Sequence, residues 1–444
     1  MGLSINDSDD LDPPVDGEPQ LLDNVPDQTR REELHGNFAY RRILSQMSIP
    51  RTNLTGLPLS KSSGLLQNYV DEIVPRILCT PEGFRNPFVQ DVLPIAFSDM
   101  LVMNAVLAVG GSTRDVGHPV SRAEEKEVLQ YYGQAIRELK LELTKWTAGT
   151  PGEWEAVRLF LTVLLLSHYE IIRGNKKGHL FHHIRAARVF APTIHTFKDG
   201  QWSALVGVLL ENYIYFELCS SLRLVPDQID IDAAAQYVVP QLESLRELNT
   251  WGVMFGGASE IYKLVPDICE LALRRKEELA TTDDLHCEET YQNLKAAITG
   301  WVRDADDDDG LSVDDTFSQG KIAAEIIAQN ALFLFLMSSY LQDRDQEYLR
   351  QISGPLVDAM IELAPILRKT PFANTTFWPV IVTASYAMTK TQRKSIVEYL
   401  PVIMPVVARA LEVLQWIWDD PDGDFGLLGM AKVIESHQTS YCFG

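Results

Sequence analysis

The strongest hydrophobic pattern in the chain lies within Ala156–Ala191. Its first part, Val157–Ile172, is apolar on nearly every face of a helix, which is typical of a helix buried on all sides. The polar stretch Arg173–Gly178 then interrupts the pattern, and its glycines can adopt the left-handed conformation in which helices commonly end. From Leu180 to Ala191 the apolar residues follow a single helical stripe. We therefore predict two helices joined by a tight turn, with the first at the centre of an α-helical domain.

Helical periodicity recurs in the rest of the chain, whereas the alternation typical of strands does not. Leu101–Val109 and Ile322–Tyr340 are predicted to form further helices, and the second of these is long and buried. The uncharged apolar stretches Leu159–Ser167 and Ala331–Tyr340 are too short to span a bilayer. We predict an all-α fold, a large multi-helix bundle of antiparallel helix hairpins, without a membrane span.

The first residues of the chain do not share this pattern. Met1–Pro26 is rich in Asp and Pro and holds no aromatic residue, so it cannot bury enough apolar area to offset its chain entropy. Glu32–Ser45 can form a short helix, and Pro50–Ser63 has the composition of a linker. We predict a disordered acidic tail and linker over residues 1–60, followed by one helical domain over residues 61–444.

A run of acidic residues, Asp304–Gly310, interrupts the helical pattern a second time. It resembles a calcium-binding loop at first sight. However, Ala305 and Thr316 would occupy its first and last ligand positions, where the loop needs oxygen ligands and a terminal bidentate Glu. We predict a mobile acidic surface loop at about residues 303–316 instead.

Short motifs follow one another in order along the chain. In the hairpin, a Leu-rich helix ends in an aromatic-Glu pair, and a Gly-containing turn leads to a His-x-x-Ala-Ala helix. The residues of this motif are Leu164, Leu165, Tyr169, Glu170, Gly174, His183, Ile184, Arg185, Ala186 and Ala187. The other motifs are Asn86-Pro87-Phe88, Leu93–Ser98, Tyr131-Tyr132 with Ala135 and Leu139–Leu143, Phe377–Val380, and Ala410–Leu414 with Trp416 and Trp418. Together they resemble, over roughly residues 64–430, the regulatory domain of fungus-specific transcription factors, which usually follows a zinc binuclear cluster.

The cysteines do not supply such a cluster. The chain holds five of them, Cys79, Cys219, Cys269, Cys287 and Cys442, and the closest two are 18 positions apart. A zinc binuclear cluster needs a dense run of thiolates within a short segment, because its metal ions share bridging sulfurs. Zinc fingers and disulfide frameworks are excluded by the same spacing. Cys219 and Cys269 lie on apolar faces and are interpreted as small buried hydrophobic residues.

The charge balance also argues against autonomous DNA binding. The chain has 39 Lys and Arg and 61 Asp and Glu, for a net charge of −22. An acidic surface repels phosphate and cannot provide the cations that drive nucleic-acid binding. Direct nucleic-acid binding by this chain alone is therefore not expected.

The resemblance implies a nuclear transcriptional regulator of a filamentous fungus that controls metabolic or secondary-metabolite genes. Its partners would be a DNA-binding regulator or the transcription machinery, and a small molecule could be its effector. An apolar cavity whose occupancy shifts a conformational equilibrium is a plausible mechanism. Trp251, Trp378, Trp416 and Phe333 are candidates to line such a cavity, with simple core packing as the alternative.

The candidate catalytic and metal-binding residues of the chain do not form a complete set. His179 and His183 are one helical turn apart, a spacing that can chelate zinc, but no third ligand is evident and a structural role is favoured. Glu170 ends an apolar helix and could act as a base if burial shifted its pKa. We predict instead that it pairs with Arg185 or Arg188, both placed on the solvent side of the second helix. No catalytic, cofactor-binding or metal-binding residue is predicted, and no cofactor.

Two alternatives to a transcriptional regulator stay open at this point. The first is a helical pathway enzyme encoded in a metabolite gene cluster. The second is a non-DNA-binding adaptor or decoy that dimerises with zinc-cluster factors. A zinc cluster encoded upstream, and missing from this sequence, would also explain the lack of a DNA reader.

Overall fold

A computed structural model of the chain describes residues 59–442, apart from short gaps. The gaps are 81–84, 114–121, 147–151, 198–199, 201, 222–237, 247, 249–251, 282–285, 303–315, 401–403, 421–422 and 424. The described residues form helices, turns and loops, with no strand among them, and this confirms the all-α prediction. The predicted tail and the acidic loop at about 303–316 lie almost entirely outside the described residues. The first described helix begins at Leu59, inside the predicted linker.

The first half of the chain supplies the helices around the predicted hairpin. They are α1 (Leu59–Asn68), a π-helical stretch (Tyr69–Ile73), α2 (Val74–Ile77), α3 (Pro87–Gln90), α4 (Val92–Ser98), α5 (Met100–Gly111), α6 (Arg122–Trp146), α7 (Glu153–Ile172), α8 (His179–His195) and α9 (Ser203–Ser221). Helix α7 packs against α5, α6, α8 and α9, so the prediction of a central, buried helix is confirmed.

The second half of the chain builds a second group of helices. They are α10 (Val239–Ser244), α11 (Ser259–Tyr262), α12 (Val265–Ala280), α13 (Cys287–Gly300), α14 (Thr316–Leu341), α15 (Gln346–Leu367), α16 (Phe372–Thr375), α17 (Phe377–Ala384), α18 (Lys390–Tyr399), α19 (Pro405–Trp418) and α20 (Gly426–Ser436). Helix α14 contacts α12, α13, α15, α17 and α20, which makes it the central helix of this group. The arrangement of the whole bundle as antiparallel hairpins stays a prediction.

Helix α14 is longer than the predicted Ile322–Tyr340 segment. By length and composition alone, Thr316–Leu341 could cross a membrane, with a mean hydropathy of 1.5 over its most apolar window. However, 72% of that window is buried inside the protein, as in the core helix of a globular domain. Most of its apolar side chains are therefore buried in the protein, and the sequence prediction of a buried helix is confirmed.

The turn between α7 and α8 ends the first helix in the way that its glycines predict. Gly174 has a φ of 81°, in the left-handed region. The amide of Gly174 donates to the carbonyl of Ile171 at 2.9 Å, and the amide of Asn175 donates to that of Glu170 at 2.8 Å. This pair of hydrogen bonds is a Schellman motif, which satisfies carbonyls left open at the helix end.

The same turn starts α8. Gly178 is left-handed, with a φ of 73°, and directly precedes the helix. The side-chain oxygen of Asn175 accepts a hydrogen bond from the amide of Leu180 at 3.1 Å, so this residue caps the new helix from within the turn. Helix α8 continues beyond the predicted Ala191 to His195 and contains Pro192.

The C-terminal residues fold back onto this turn. Arg409 on α19 is buried and donates hydrogen bonds to Glu412, at 2.6 Å, and to the hydroxyl of Thr439. The amide of Ser440 donates to the carbonyl of Lys176 at 3.3 Å. Because Gly174 has no side chain, the Arg409 side chain can approach it closely. The turn is therefore both a helix junction and a docking point for α19 and the C-terminal segment.

We predict that Gly174→Ala lowers the free energy of unfolding by about 1–3 kcal/mol, because alanine is strained in the left-handed region. Its Cβ would also lie 2.9 Å from the Cβ of Arg409. The matched control is Gly300→Ala at the end of α13, where a Cβ meets open space. The control should be neutral or stabilising by up to about 1 kcal/mol. Urea unfolding of the three proteins measures both effects, and a Gly174→Ala variant as stable as the parent would contradict the prediction.

Candidate ligand pocket

A cavity of about 350 Å³ lies between the two groups of helices. One side is formed by α2, α7 and α9, with apolar residues such as Ile77, Ile172 and Phe216. The opposite side is formed by α16, α17, the end of α18 and the start of α19, and includes Val380 and Val407. We call this cavity the His168 pocket. Its volume falls in the lower part of the roughly 300–1,000 Å³ range of small-molecule sites, and its lining is mainly apolar, as in such sites.

The pocket is named after the polar side chain on its α7 side. His168 is only 6% exposed and lies edge-on between Phe88, at 5.9 Å, and Phe216, at 4.9 Å between ring centroids. Its Nε2 atom is buried and has no hydrogen-bond partner among the described residues. Burial lowers the pKa of the imidazole to about 4, although Asn212 opposes the shift. His168 is therefore neutral at neutral pH and keeps one buried ring nitrogen without a hydrogen-bond partner among the described residues.

Two hydrogen bonds connect helix α9 to other parts of the pocket wall. The hydroxyl of Tyr215 on α9 donates to the carbonyl of Thr375 on α16 at 2.9 Å, and both residues line the cavity. Met254 also lines it and lies in the loop that precedes α11. The amide of Met254 donates to the Oε1 atom of Glu211 at 2.7 Å. The pocket wall thus depends on a buried carboxyl group of α9.

Glu211 is 1% exposed and accepts hydrogen bonds from three loop amides. Besides Met254, these are Gly252, at 3.1 Å, and Phe255, at 3.4 Å. Burial raises the pKa of the carboxyl group to about 7, while the amide hydrogen bonds lower it and so limit the rise. Burial and the neighbouring Glu211 also raise the pKa of the Cys79 thiol to about 12, and this thiol donates to the carbonyl of Val253.

Two arginines border the pocket where it meets solvent. The guanidinium of Arg368 donates to the carbonyls of Glu398 and Tyr399, both at 2.6 Å, at the end of α18. Arg76 forms an ion pair with Glu72 at 2.9 Å, one helical turn earlier. Its side chain is 32% exposed, so the guanidinium is accessible from the solvent.

Of the aromatic residues predicted to line a cavity, the three that the structure describes do not line this one. Trp378 is fully buried and donates from Nε1 to the hydroxyl of Tyr262 at 3.0 Å. Trp416 stacks on His437 with ring centroids 3.8 Å apart. Phe333 is half-buried on α14. Trp251 lies outside the described residues. Trp378 therefore has the core position that the alternative interpretation gave it, whereas Trp416 and Phe333 are only partly buried.

A polar cluster joins α6 to the hairpin. The hydroxyl of Tyr132 donates to Oε1 of Glu170 at 2.6 Å and lies 3.0 Å from Nε2 of His183. The Nδ1 atom of His179 lies 3.3 Å from the same Glu170 oxygen. Both histidines therefore contact protein groups, consistent with a structural role. Among the described residues, no three His, Cys, Asp or Glu side chains come together as a metal site would require.

The predicted pairing of Glu170 with Arg185 or Arg188 was wrong. Arg188 reaches the buried Glu217 on α9 and forms an ion pair with it, so it is not a solvent-facing residue. Arg185 is exposed. The sequence pattern placed both arginines correctly on α8 but could not show that α9 presents a buried carboxylate to one of them.

The five cysteines are buried and unbridged. Burial raises the pKa of Cys269 to about 12 and that of Cys219 well above its ordinary value. Neither thiol forms the thiolate needed for metal binding or nucleophilic attack at neutral pH. The interpretation of these two residues as buried hydrophobic groups is confirmed.

Comparison with known proteins gives one match. A family model for the fungal specific transcription factor domain matches residues 64–433, nearly the span of the resemblance seen in the motifs. No curated protein and no solved structure matches the chain.

We predict that Glu211→Gln changes the pH dependence of stability. The ordinary pKa of 4.5 applies in the unfolded chain and the raised value of about 7 in the folded one, so between these pH values the folded state binds more protons. The Glu211 contribution to the free energy of unfolding is therefore complete below about 4.5 and is lost as the pH rises through 7.

Urea unfolding at several pH values across this range tests the sign. The variant should lack a decline of order 1–3 kcal/mol that the parent protein shows. Glu277→Gln, which changes an exposed carboxylate on α12, is the control and should keep the parental profile. Identical profiles for Glu211→Gln and the parent would contradict the assignment.

Proposed function

Since the chain belongs to the fungal specific transcription factor domain family, we propose that it regulates transcription in response to a small molecule bound in the His168 pocket. Membership of this family supports a fungal transcriptional regulator rather than an enzyme. The proposal goes beyond family membership in four respects: the kind of effector, the site that binds it, the genes that are regulated, and the way in which the protein is brought to DNA. We place the protein in the nucleus and assign it to metabolic or secondary-metabolite genes.

The observation that carries the effector proposal is a mainly apolar cavity lined by His168, whose buried Nε2 atom has no hydrogen-bond partner among the described residues. A buried polar group without a partner costs about 1–3 kcal/mol. A ligand that hydrogen-bonds to Nε2 would remove this cost while its apolar part covers the cavity wall. An enclosed apolar pocket with a few polar groups is the usual form of a small-molecule site.

The position of the pocket supports a regulatory effect of binding. Its walls come from α7 and α9 on one side and from α16, α17 and α19 on the other. A ligand that touches both sides stabilises the arrangement in which they are close, and it shifts the population toward that state. The shift is limited by the difference in ligand affinity between the two arrangements.

We also propose that DNA is contacted by a partner. The net charge of −22 and the spacing of the five cysteines leave this chain without the cations and the zinc cluster that would read DNA. A zinc-cluster protein that associates with the helical domain would supply the missing contacts. The alternative of a non-DNA-binding adaptor also requires such a partner. It differs from this proposal in that the chain itself would not alter transcription.

We predict that the chain changes reporter output when it is tethered to a heterologous DNA-binding domain in a fungal host. Ala373→Trp should alter that output, because Ala373 lines the pocket and the indole would occupy the ligand volume. His168→Phe is a second variant, which keeps an aromatic ring between the phenylalanines and removes the polar nitrogen. Ala408→Trp, at an exposed position of α19, is the matched control.

Thermal melting should first show that each variant is folded. Reporter output that equals that of the tether alone, for the parent chain and all variants, would count against a regulatory role. If the parent chain changes reporter output and both pocket variants change it equally, the protein would still be a regulator, but the His168 pocket would not be its effector site.

We predict that the isolated chain binds duplex DNA no more tightly than about 1 μM at physiological salt, because it lacks a basic surface. Fluorescence anisotropy with random and promoter-derived duplexes measures this. A purified zinc-cluster protein that binds the chain should bring it to DNA in the same assay. Sub-micromolar binding by the chain alone would contradict the need for a partner.

A further inference from the structure

The charge of the His168 pocket is opposite to that of the chain. The protein carries 61 acidic and 39 basic residues. Yet the described residues that line the pocket include Arg76 and Arg368 and no Asp or Glu. In a protein with a net charge of −22, the lining of this site thus carries two cationic side chains and no acidic one, and cavities with low-dielectric walls strengthen the effect of such charges. The pocket therefore favours an anion over a neutral or cationic ligand.

Arg368 is held in place without being neutralised. Its guanidinium donates to two carbonyls at the end of α18 and lies over the ring of Tyr399, 5.6 Å from the centroid. No carboxylate of the described residues lies within ion-pair distance of it. Carbonyl partners fix the orientation of the guanidinium but leave its charge uncompensated. An arginine fixed in this way can still bind an anionic group through its remaining N–H donors.

Arg76 is a second cation on the same border of the pocket. Its ion pair with Glu72 joins two partly exposed side chains, 32% and 55% accessible, within one helix. Exposed pairs of this kind are weak, typically below about 1 kcal/mol, so Arg76 can also turn to a ligand. The two arginines come from α2 and from the end of α15, and an anion between them would connect these segments.

His168 is a buried residue of the pocket lining. Burial keeps its imidazole neutral, so it adds no charge in the interior. Around it the wall is apolar, with Ile73, Ile172 and Phe216 among its residues. Charge is thus confined to the solvent border, and the interior accepts an apolar body with one hydrogen-bonding group.

We propose that the His168 pocket binds a small, mainly apolar organic molecule with one anionic group, which lies at Arg368 and Arg76 while the apolar body reaches His168. This inference rests on the proposed function, because it assumes that the pocket is the effector site. It specifies the chemical class of the effector, which neither the family nor the sequence pattern provides.

A pair of fluorescent probes that differ in one charged group tests the proposal. The anionic probe is 8-anilinonaphthalene-1-sulfonate, and the neutral probe, N-phenyl-1-naphthylamine, has the same aromatic body without the sulfonate. Each is titrated against the folded full-length chain. We expect the anionic probe to bind at one site with at least about tenfold higher affinity, the size expected for a hydrogen bond to a charged group.

Arg368→Gln should lower the affinity for the anionic probe about tenfold and leave that for the neutral probe unchanged. Arg350→Gln is the matched control. Arg350 also donates to a carbonyl, that of Gly423, and lies over an aromatic ring, that of Phe425, but it does not line the pocket. Ala373→Trp should reduce the binding of both probes, because it fills the cavity rather than changing its charge.

The outcomes separate the two levels of the proposal. Equal affinities for both probes, unaffected by Arg368→Gln but reduced by Ala373→Trp, would overturn the anion selectivity and keep the pocket as a ligand site. Binding of neither probe, or binding insensitive to Ala373→Trp, would overturn the pocket itself and this inference with it. Equal loss of anionic-probe affinity in Arg350→Gln and Arg368→Gln would show a general surface effect and would also overturn the inference.

Discussion

The burial of α7 on all its faces is the constraint on which the rest of the structure depends. From Ala156 to Tyr169 its apolar side chains are almost completely inaccessible, and α5, α6, α8 and α9 cover them. A helix in this position must satisfy every polar side chain within the protein. Thr162 and Ser167 donate to carbonyls one turn earlier, and Glu170 accepts from Tyr132. His168 alone of these leaves an atom without a partner among the described residues, and the cavity lies at this position. A buried Oε1 atom of Glu153, at the start of α7, also has no partner among the described residues, but of the two residues it is His168 that lines the cavity.

The charge of the pocket also differs from that of the rest of the protein. The excess of acidic residues keeps the surface negative, which suits a chain that leaves phosphate contacts to a partner. The pocket reverses this sign with two arginines whose positions are fixed by backbone carbonyls and by one weak ion pair. Buried carboxylates elsewhere are matched locally, as Glu211 is by loop amides and Glu217 by Arg188. The local charge of a site therefore depends on its individual residues. The net charge of the chain predicts the sign of the surface charge but not the sign of the charge in the pocket.

The sequence predicted the helices better than it predicted the contacts between residues of different helices. Helices α5, α7, α8 and α14 follow from apolar periodicity, because a buried face imposes a repeat near that of the helix. The left-handed residues of the turn follow from Gly174 and Gly178, because glycine has no Cβ to clash. The partner of Glu170 was predicted wrongly, because helical spacing shows which face a residue is on but not which neighbouring helix covers it. The three described aromatics proposed for the cavity do not line it for the same reason, since a large side chain at helical spacing can pack in a core or against a neighbouring ring equally well.

By itself, the sequence determined the all-α class, the buried central hairpin, the inert cysteines and the membership of the family. Each of these depends on residue type and on spacing within one segment, which a linear pattern records directly. Only the tertiary structure decided that Tyr132 holds Glu170, that Glu217 takes Arg188, and that His168 faces a cavity bordered by Arg76 and Arg368. Arg76 and Arg368 lie almost three hundred positions apart in the chain, and no local periodicity couples them. Their proximity to one cavity arises from how the helices pack, because side chains from distant segments meet only when both segments bury their apolar faces together.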